Sequence, residues 1–475
     1  MERLLVIQLA KLGDFIQSTA LLGKLRLARP EAKICLLAKE PAVLEAARLS
    51  PLVDEVFAST DEASAFQSFA AVYVLNSHRE AAGAGQSVKC GEHYGPRLID
   101  GELVFAPAQV FLMNLMRLDR KLGRFNLVDV WSSLVPGMEV VSTYWPSESG
   151  PKISDISGEA AITAASQPKL QISRHRCGGS LPGLGPGRAL IGFQLGSRNH
   201  LRRWPVESFV HLGQELISSG LEFTPVLLGT KAETALAKKF KSLWGNAEMI
   251  DLVGGTDLRS LTAALNGLNL LVSGDTGVLH LAAALKLPTL GLFFGPAWGP
   301  ETGPYGSGHL IYQCLAPCGP CRENSACRNR FCLEMPHAEV VAAAAGWLLA
   351  GGPSGQVPVP AAIADPPPGH RLWRSTLGLF GQDLLPVDNT VLTPDEALAL
   401  LLTEAGRRRL NPSYQGDLEG LKSVFQAYRR QAPLKLSRSA IYDNPALAAL
   451  NGKDEAGIFL TDVRQLATDF GLEFA

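Results

Sequence analysis

The feature that most constrains this chain is a repeated alternation. Short apolar runs of strand length are each followed by a turn and a helix-period segment, and the pattern occurs twice with a break between. Leu4–Leu9 is such a run, ending at Lys11-Leu12-Gly13-Asp14 before a helical pattern through Arg26. Strands over Lys33–Ala38, Glu55–Phe57 and Ala70–Leu75 follow, with a helix over Pro41–Leu49 that carries proline in its first turn. Alternation of this kind predicts a parallel sheet covered by helices on both faces. It resumes with strands over Ala189–Phe193, Thr224–Leu228, Met249–Leu252, Leu268–Ser273 and Pro288–Phe293. The intervening helices are expected over Pro205–Ser219, Lys231–Trp244, Leu258–Leu265 and Gly277–Leu285. Between the two blocks the pattern dissolves into Ser, Gly and Pro.

The expected organisation is therefore an α/β chain of two doubly wound halves, residues 1–165 and 189–350, joined by a linker over 166–188. A Pro/Gly-rich, mainly helical extension occupies 351–475, with helices over Thr393–Leu410 and Asp417–Ala432. A chain of 475 residues exceeds what one core usually supports, which agrees with two domains. The formal net charge of -1 gives no global reason to expect nucleic-acid binding, so none is expected. Neither the first residues nor Val340–Ala350 offers a secretory or spanning apolar segment, and the expected location is the cytoplasm.

Paired doubly wound domains place ligands in a cleft at the carboxyl ends of their strands. Three loops there carry chemistry. Ser273-Gly274-Asp275-Thr276-Gly277-Val278-Leu279-His280 joins a buried strand to an apolar helix, where backbone N–H groups and the helix dipole suit a pyrophosphate. Asp275 is expected to cap that helix, and the alternative is that Asp275 and His280 serve only capping and packing. Gln194-Leu195-Gly196-Ser197-Arg198 with Arg202-Arg203-Trp204-Pro205 offers guanidinium and hydroxyl groups suited to phosphate, or a solvated basic pair. Asp14 follows the first strand and can act as a general base, or cap its helix in a box with Gln17, or both.

Taken together, Lys11-Leu12-Gly13-Asp14, Gly196-Ser197 with Arg202-Arg203-Trp204-Pro205, Asp275-Thr276-Gly277 with His280, and Gly303-Pro304-Tyr305-Gly306 resemble glycosyltransferase family 9, which holds the lipopolysaccharide heptosyltransferases. The resemblance runs to about Ala350. It implies a GT-B fold and inverting, metal-independent transfer of heptose from ADP-heptose to a lipopolysaccharide-core or related surface-glycan acceptor. Asp14 falls on the family's catalytic carboxylate. Ser197, Arg198, Arg202, Asp275, Thr276, Gly277 and His280 fall on the nucleotide-sugar site. Either Lys231 or Glu233 falls where the family meets the ribose, and Asn76-Ser77-His78-Arg79 departs from the acceptor loop of the core heptosyltransferases.

Three alternatives stay open: another nucleotide sugar, a protein acceptor, or a non-catalytic binding module in surface-polysaccharide assembly. Arg79, Arg117, Arg120, Lys121 and Arg124 either meet an anionic acceptor or form a scattered charged surface. The arginines at 407–409 and 429–430 suit peripheral contact with the inner membrane, or simply complement helix ends. Of eight cysteines, Cys318, Cys321, Cys327 and Cys332 have a spacing that can close a structural zinc or iron site, with Cys314 just ahead, or they are free thiols. The resemblance implies that no cofactor is required for the chemistry itself.

Overall fold

The computed structural model describes residues 2–65, 68–105, 120, 123–135, 142–146, 188–323, 325–334, 336–354, 357–378, 381–387, 399–400, 402–404, and residues 435–436, 465 and 473–474. The expected linker over 166–188 falls outside these residues apart from position 188. So do the helix over Asp417–Ala432, the arginines at 407–409 and 429–430, and Arg117 and Lys121. Of the helix expected over Thr393–Leu410, residues 399–400 and 402–404 are described and helical.

The first half opens with β1 (Arg3–Ile7), α1 (Leu12–Ala28), β2 (Lys33–Leu37), α2 (Pro41–Leu49), β3 (Glu55–Phe57) and α3 (Thr60–Ser64). It continues through β4 (Phe69–Val74), α4 (Arg79–Ser87) and β5 (Cys90–Tyr94). Its sheet has the order β3-β2-β1-β4-β5 with every pair parallel. Alternate side chains of one strand serve opposite layers: Leu4 and Val6 pack with Phe15 and Ile16 of α1, while Leu5 and Ile7 pack with Ala81 and Ala84 of α4. That is why the strands read as continuous apolar runs. A hairpin of β6 (Arg97–Ile99) and β7 (Glu102–Val104) and the helix α5 (Leu127–Ser132) complete this half.

The second half runs β8 (Ala189–Gln194), α6 (Val206–Ser218), β9 (Phe223–Leu228), α7 (Thr234–Trp244), β10 (Ile250–Asp251), α8 (Leu258–Asn266) and β11 (Leu270–Gly274). Then come α9 (Gly277–Ala284), β12 (Thr289–Phe293), α10 (Gly299–Thr302), β13 (Leu310–Cys314), α11 (Phe331–Glu334), α12 (Ala338–Leu349) and α13 (Ala361–Ala364). Its sheet begins β10-β9-β8-β11-β12-β13, all parallel. The two doubly wound halves are the expected ones.

The sheet also continues past residue 350. β14 (His370–Gly378) pairs antiparallel with β13, and β15 (Gly381–Pro386) pairs antiparallel with β14. The segment read from sequence as a mainly helical extension thus contributes a hairpin to the second sheet. The physical reason is the edge: β13 is buried along its whole length, and an uncovered edge leaves a row of unpaired backbone groups. No helix among the described residues is long and apolar enough to cross a membrane.

The halves touch through α1 and α9, and one apolar cluster runs from Leu4 and Phe15 through Trp145 to Leu265 and Leu281. Around it, residues 120 and 123–132 lie against residues 298–305. Arg120 holds Glu301 with both Nε and Nη2, at 2.9 and 2.5 Å. Asn126 Nδ2 donates to the Gly303 carbonyl at 3.1 Å, and the Tyr305 hydroxyl donates to Asp129 at 2.5 Å. Asp129 also accepts from the Gln382 backbone N–H at 3.1 Å, so the late hairpin is tied to the first half.

Candidate active site

The strand order reverses at β1/β4 in the first sheet and at β8/β11 in the second, and the loops beyond those strand ends hold the expected site residues. The β1 loop is pinned from below. Asn76 Oδ1 accepts from the Leu9 N–H at 2.6 Å, Gln8 Oε1 accepts from Asn76 Nδ2 at 2.5 Å and from the Ala10 N–H at 3.2 Å. Asn76, read from sequence as part of a divergent acceptor loop, instead braces the loop that carries Asp14. The anchoring of a turn by a residue 68 positions away has no local signature.

Asp14 stands in the first turn of α1, and its Oδ2 accepts from the Lys11 N–H at 3.2 Å. It therefore closes the helix end as the third residue reaching back, not as the first residue of a box with Gln17. Burial pushes its carboxyl above the ordinary range, outweighing His280 and the Lys11 N–H, with Asp275 adding to the rise. A carboxyl held high by its surroundings is suited to accept a proton.

Across the gap, the N-terminus of α9 comes as close as backbone allows. A Cβ on Gly13 would lie 2.8 Å from His280 Cδ2 and 3.3 Å from Gly277 Cα, and one on Gly277 would lie 3.3 Å from the Gly13 nitrogen. Two facing glycines thus let two helix starts meet, which brings Asp14 beside Asp275, Thr276, Gly277 and His280. Thr276, not Asp275, is the N-cap of α9, its hydroxyl accepting from the Leu279 N–H at 3.4 Å. Asp275 turns inward because stronger partners await it. It binds Arg202 Nη1 at 2.6 Å and accepts from the Thr302 hydroxyl at 3.3 Å, and it faces His280 Nε2 at 3.4 Å. Burial alone would raise its carboxyl, but His280 and then Arg202 outweigh it and hold it below the usual range. Asp275 is accordingly an ionised, buried hub. Two nitrogens beside it, Arg202 Nε and His280 Nδ1, are buried with no hydrogen-bond partner.

Arg202 also pairs through Nη2 with Glu323, a residue the sequence reading passed over. Ser197 is buried at the end of β8. Arg198 is exposed and pairs with Glu40 of the first half at 3.1 Å. Of the two ribose candidates, Glu233 is the one at the β8 loop: a Cβ on Gly196 would fall 2.0 Å from its Cγ, whereas Lys231 packs beside Gly254. Among the expected anionic-acceptor residues, Arg79 is bound to Glu102 and the Gly101 carbonyl, Arg120 to Glu301, and Arg124 lies over the Trp373 ring at 5.4 Å.

The cysteine loop follows β13. The donor chemistry of Cys318, Cys321, Cys327 and Cys332 suits zinc or iron, and their proximity contributes, after burial, to raising the Cys321 and Cys332 thiols. A tetrahedral thiolate site with bonds near 2.3 Å needs sulfurs within about 4 Å of each other. Among the described residues the group whose ligand atoms all lie within 4.8 Å is His211, Glu215 and Glu339, not any three of these cysteines.

Residues 160–330 match the family model described as glycosyltransferase family 9 (heptosyltransferase). The chain is 32% identical over 135 residues to the lipooligosaccharide heptosyltransferase 2 of Haemophilus ducreyi, covering 27% of this chain and 38% of that protein. It is 31% identical over 136 residues to the lipopolysaccharide heptosyltransferase 1 of Pseudomonas aeruginosa, covering 29% of this chain and 37% of that protein. The matched segment thus spans well under half the length of these relatives. In three dimensions the chain resembles a glycosyl transferase of family 9 from Veillonella parvula, with a TM-score of 0.53 at 18% identity, over 74% of this chain and 97% of that one. That likeness agrees with the paired Rossmann-like halves of a GT-B fold. Over residues 160–330, then, this chain is similar to glycosyltransferase family 9.

Proposed function

We propose that this protein is an inverting glycosyltransferase that takes heptose from ADP-heptose and passes it to a lipopolysaccharide-core or related surface-glycan acceptor at the cytoplasmic side of the membrane. The observation that carries the reading is the meeting of the α1 and α9 starts at Gly13 and Gly277. It sets a carboxyl with an upward-shifted pKa against an anion-binding helix end.

In this mechanism the acceptor hydroxyl gives its proton to Asp14 as its oxygen attacks the anomeric carbon. The bond from that carbon to the diphosphate oxygen breaks with its electron pair leaving on ADP. Arg202 and the backbone N–H groups that open α9 stabilise the charge that develops on the leaving diphosphate. Asp275 fixes Arg202 in place, and Thr302 and His280 fix Asp275. Glu233, beside Gly196, is the better placed of the two candidates to reach a ribose. No step is routed through a metal.

The test is the Asp14→Asn protein. Transfer is expected to fall by ~10²–10⁴-fold while ADP affinity stays within a few fold of the parent. Turnover near the parent rate removes the base assignment. Loss of ADP binding as well would mean that Asp14 builds the donor site instead.

A further inference from the structure

Arg202 is the side chain that the proposed reaction asks to meet the diphosphate, and two of its three nitrogens are already engaged. Nη1 is bound to Asp275, which is 6% exposed at the side chain and held by Thr302 and His280 as well. Nη2 is bound to Glu323, which is 47% exposed and belongs to the cysteine loop. The two carboxylates differ in what holds them. Asp275 sits on the buried β11–α9 turn, so displacing it would strand a charge in the core. Glu323 rides on a surface loop between Cys321 and Cys327.

That loop is itself tethered beside the site. The Cys321 N–H donates to the Gly295 carbonyl at 2.9 Å, and Arg120 Nη1 donates to the Cys321 carbonyl at 3.0 Å. Asn199 Nδ2, one turn from Arg202, donates to the Glu323 carbonyl at 3.0 Å. These contacts hold the backbone of residue 323 over the arginine, so the carboxylate has only its own side chain to swing.

The carboxyl groups of Asp275, Glu323 and Asp14 all act on Arg202, with His280 and Lys11 also beside Asp14. Resting on the donor reading above, we propose that Glu323 is an internal anion that competes with the donor diphosphate for Arg202 and so sets donor affinity. Entry of the donor exchanges the Glu323 carboxylate for a phosphate oxygen on the outer edge of the guanidinium, and Glu323 swings to solvent. Arg202 keeps Asp275 throughout. The exchange makes donor binding weaker than Arg202 alone would permit, and lets the diphosphate leave once the sugar is transferred. It also couples the cysteine loop to the donor, since the residue that must yield lies on that loop.

The experiment is calorimetric titration of ADP into the full chain and into its Glu323→Gln and Glu323→Ala variants, with Arg202→Lys alone and in combination. Both Glu323 variants are expected to bind ADP about tenfold more tightly than the parent, equivalent to ~1.4 kcal/mol. In the Arg202→Lys background the gain is expected to shrink, because a lysine presents one point charge where the guanidinium presents a fork. If Glu323 instead orients Arg202 for the phosphates, both variants bind ADP more weakly, and that result overturns the proposal. Equal affinity in parent and variants overturns it too. A parent that binds no ADP at all removes the donor reading and the competition with it.

Discussion

The facing glycines offer the sharpest test of the geometry. Replacing Gly13 with alanine adds one methyl group whose carbon would sit 2.8 Å from His280 Cδ2, 3.3 Å from Gly277 Cα and 3.6 Å from the Gly277 nitrogen. Carbon atoms in contact prefer about 3.5–4.0 Å, so the nearest pair must open by roughly 0.7 Å or more. His280 is poorly able to yield, being buried and set against Asp275. Gly277 yields only if the start of α9 moves. Local helix propensity acts in the other direction, favouring alanine over glycine by up to ~1 kcal/mol. Overpacking typically costs about 1–3 kcal/mol, so the steric effect wins at the interface while α1 by itself is not harmed. The halves are expected to separate slightly, leaving each sheet intact. Misplacement of reacting groups by about 1 Å can cost ~10²-fold in rate, so ADP release in the presence of acceptor is expected to fall by ~10–100-fold. The unfolding temperature should change by only a few degrees. A Gly13→Ala protein that turns over at the parent rate and unfolds at a higher temperature would refute the close approach.

The acid limb of the rate profile follows from Asp14. A base must be deprotonated to act, and burial raises its carboxyl, so kcat/KM is expected to fall as pH drops through a value above the ordinary aspartate range; a limb at or below that range contradicts the assignment. The Arg120→Met change strips Glu301 of its guanidinium partner across the domain boundary. It should destabilise the protein by up to ~3 kcal/mol in denaturant titrations. Burial already pushes the Glu301 carboxyl up, so the loss should be smaller at low pH, where it keeps its proton, and grow as pH rises through its folded pKa. Adding Glu301→Gln to that variant should recover much of the loss. Asp129→Ala removes the carboxylate that accepts from the Tyr305 hydroxyl and the Gln382 N–H, at ~1–3 kcal/mol in all, and limited proteolysis between the late strands and the first half should accelerate.

What could be read along the chain was whatever depends on neighbours in sequence. Buried parallel strands need unbroken apolar runs, so β1, β2, β4, β8, β9, β11 and β12 were visible, as were the helices between them and the loops at their carboxyl ends. That placed Asp14, Arg202, Asp275, Thr276, Gly277 and His280 in loops that come together. The strands over residues 370–378 and 381–386 were not visible, because their reason for existing is the edge of β13, a partner some sixty residues earlier.

Tertiary structure alone decided which polar partner each site residue takes. Sequence placed Asp275 as a helix cap, but Arg202, 73 positions away, draws it inward, and Thr276 takes the cap. The fold also pairs Arg198 with Glu40, a partner that no local pattern announces. Four cysteines have a metal-binding rhythm along the chain, which fixes the order of donors; the distances between sulfurs depend on the path of the loop. The general cause is that backbone patterning is local and repeats every two or 3.6 residues, whereas a charge pairs with whichever opposite charge the folded chain brings within a few ångströms.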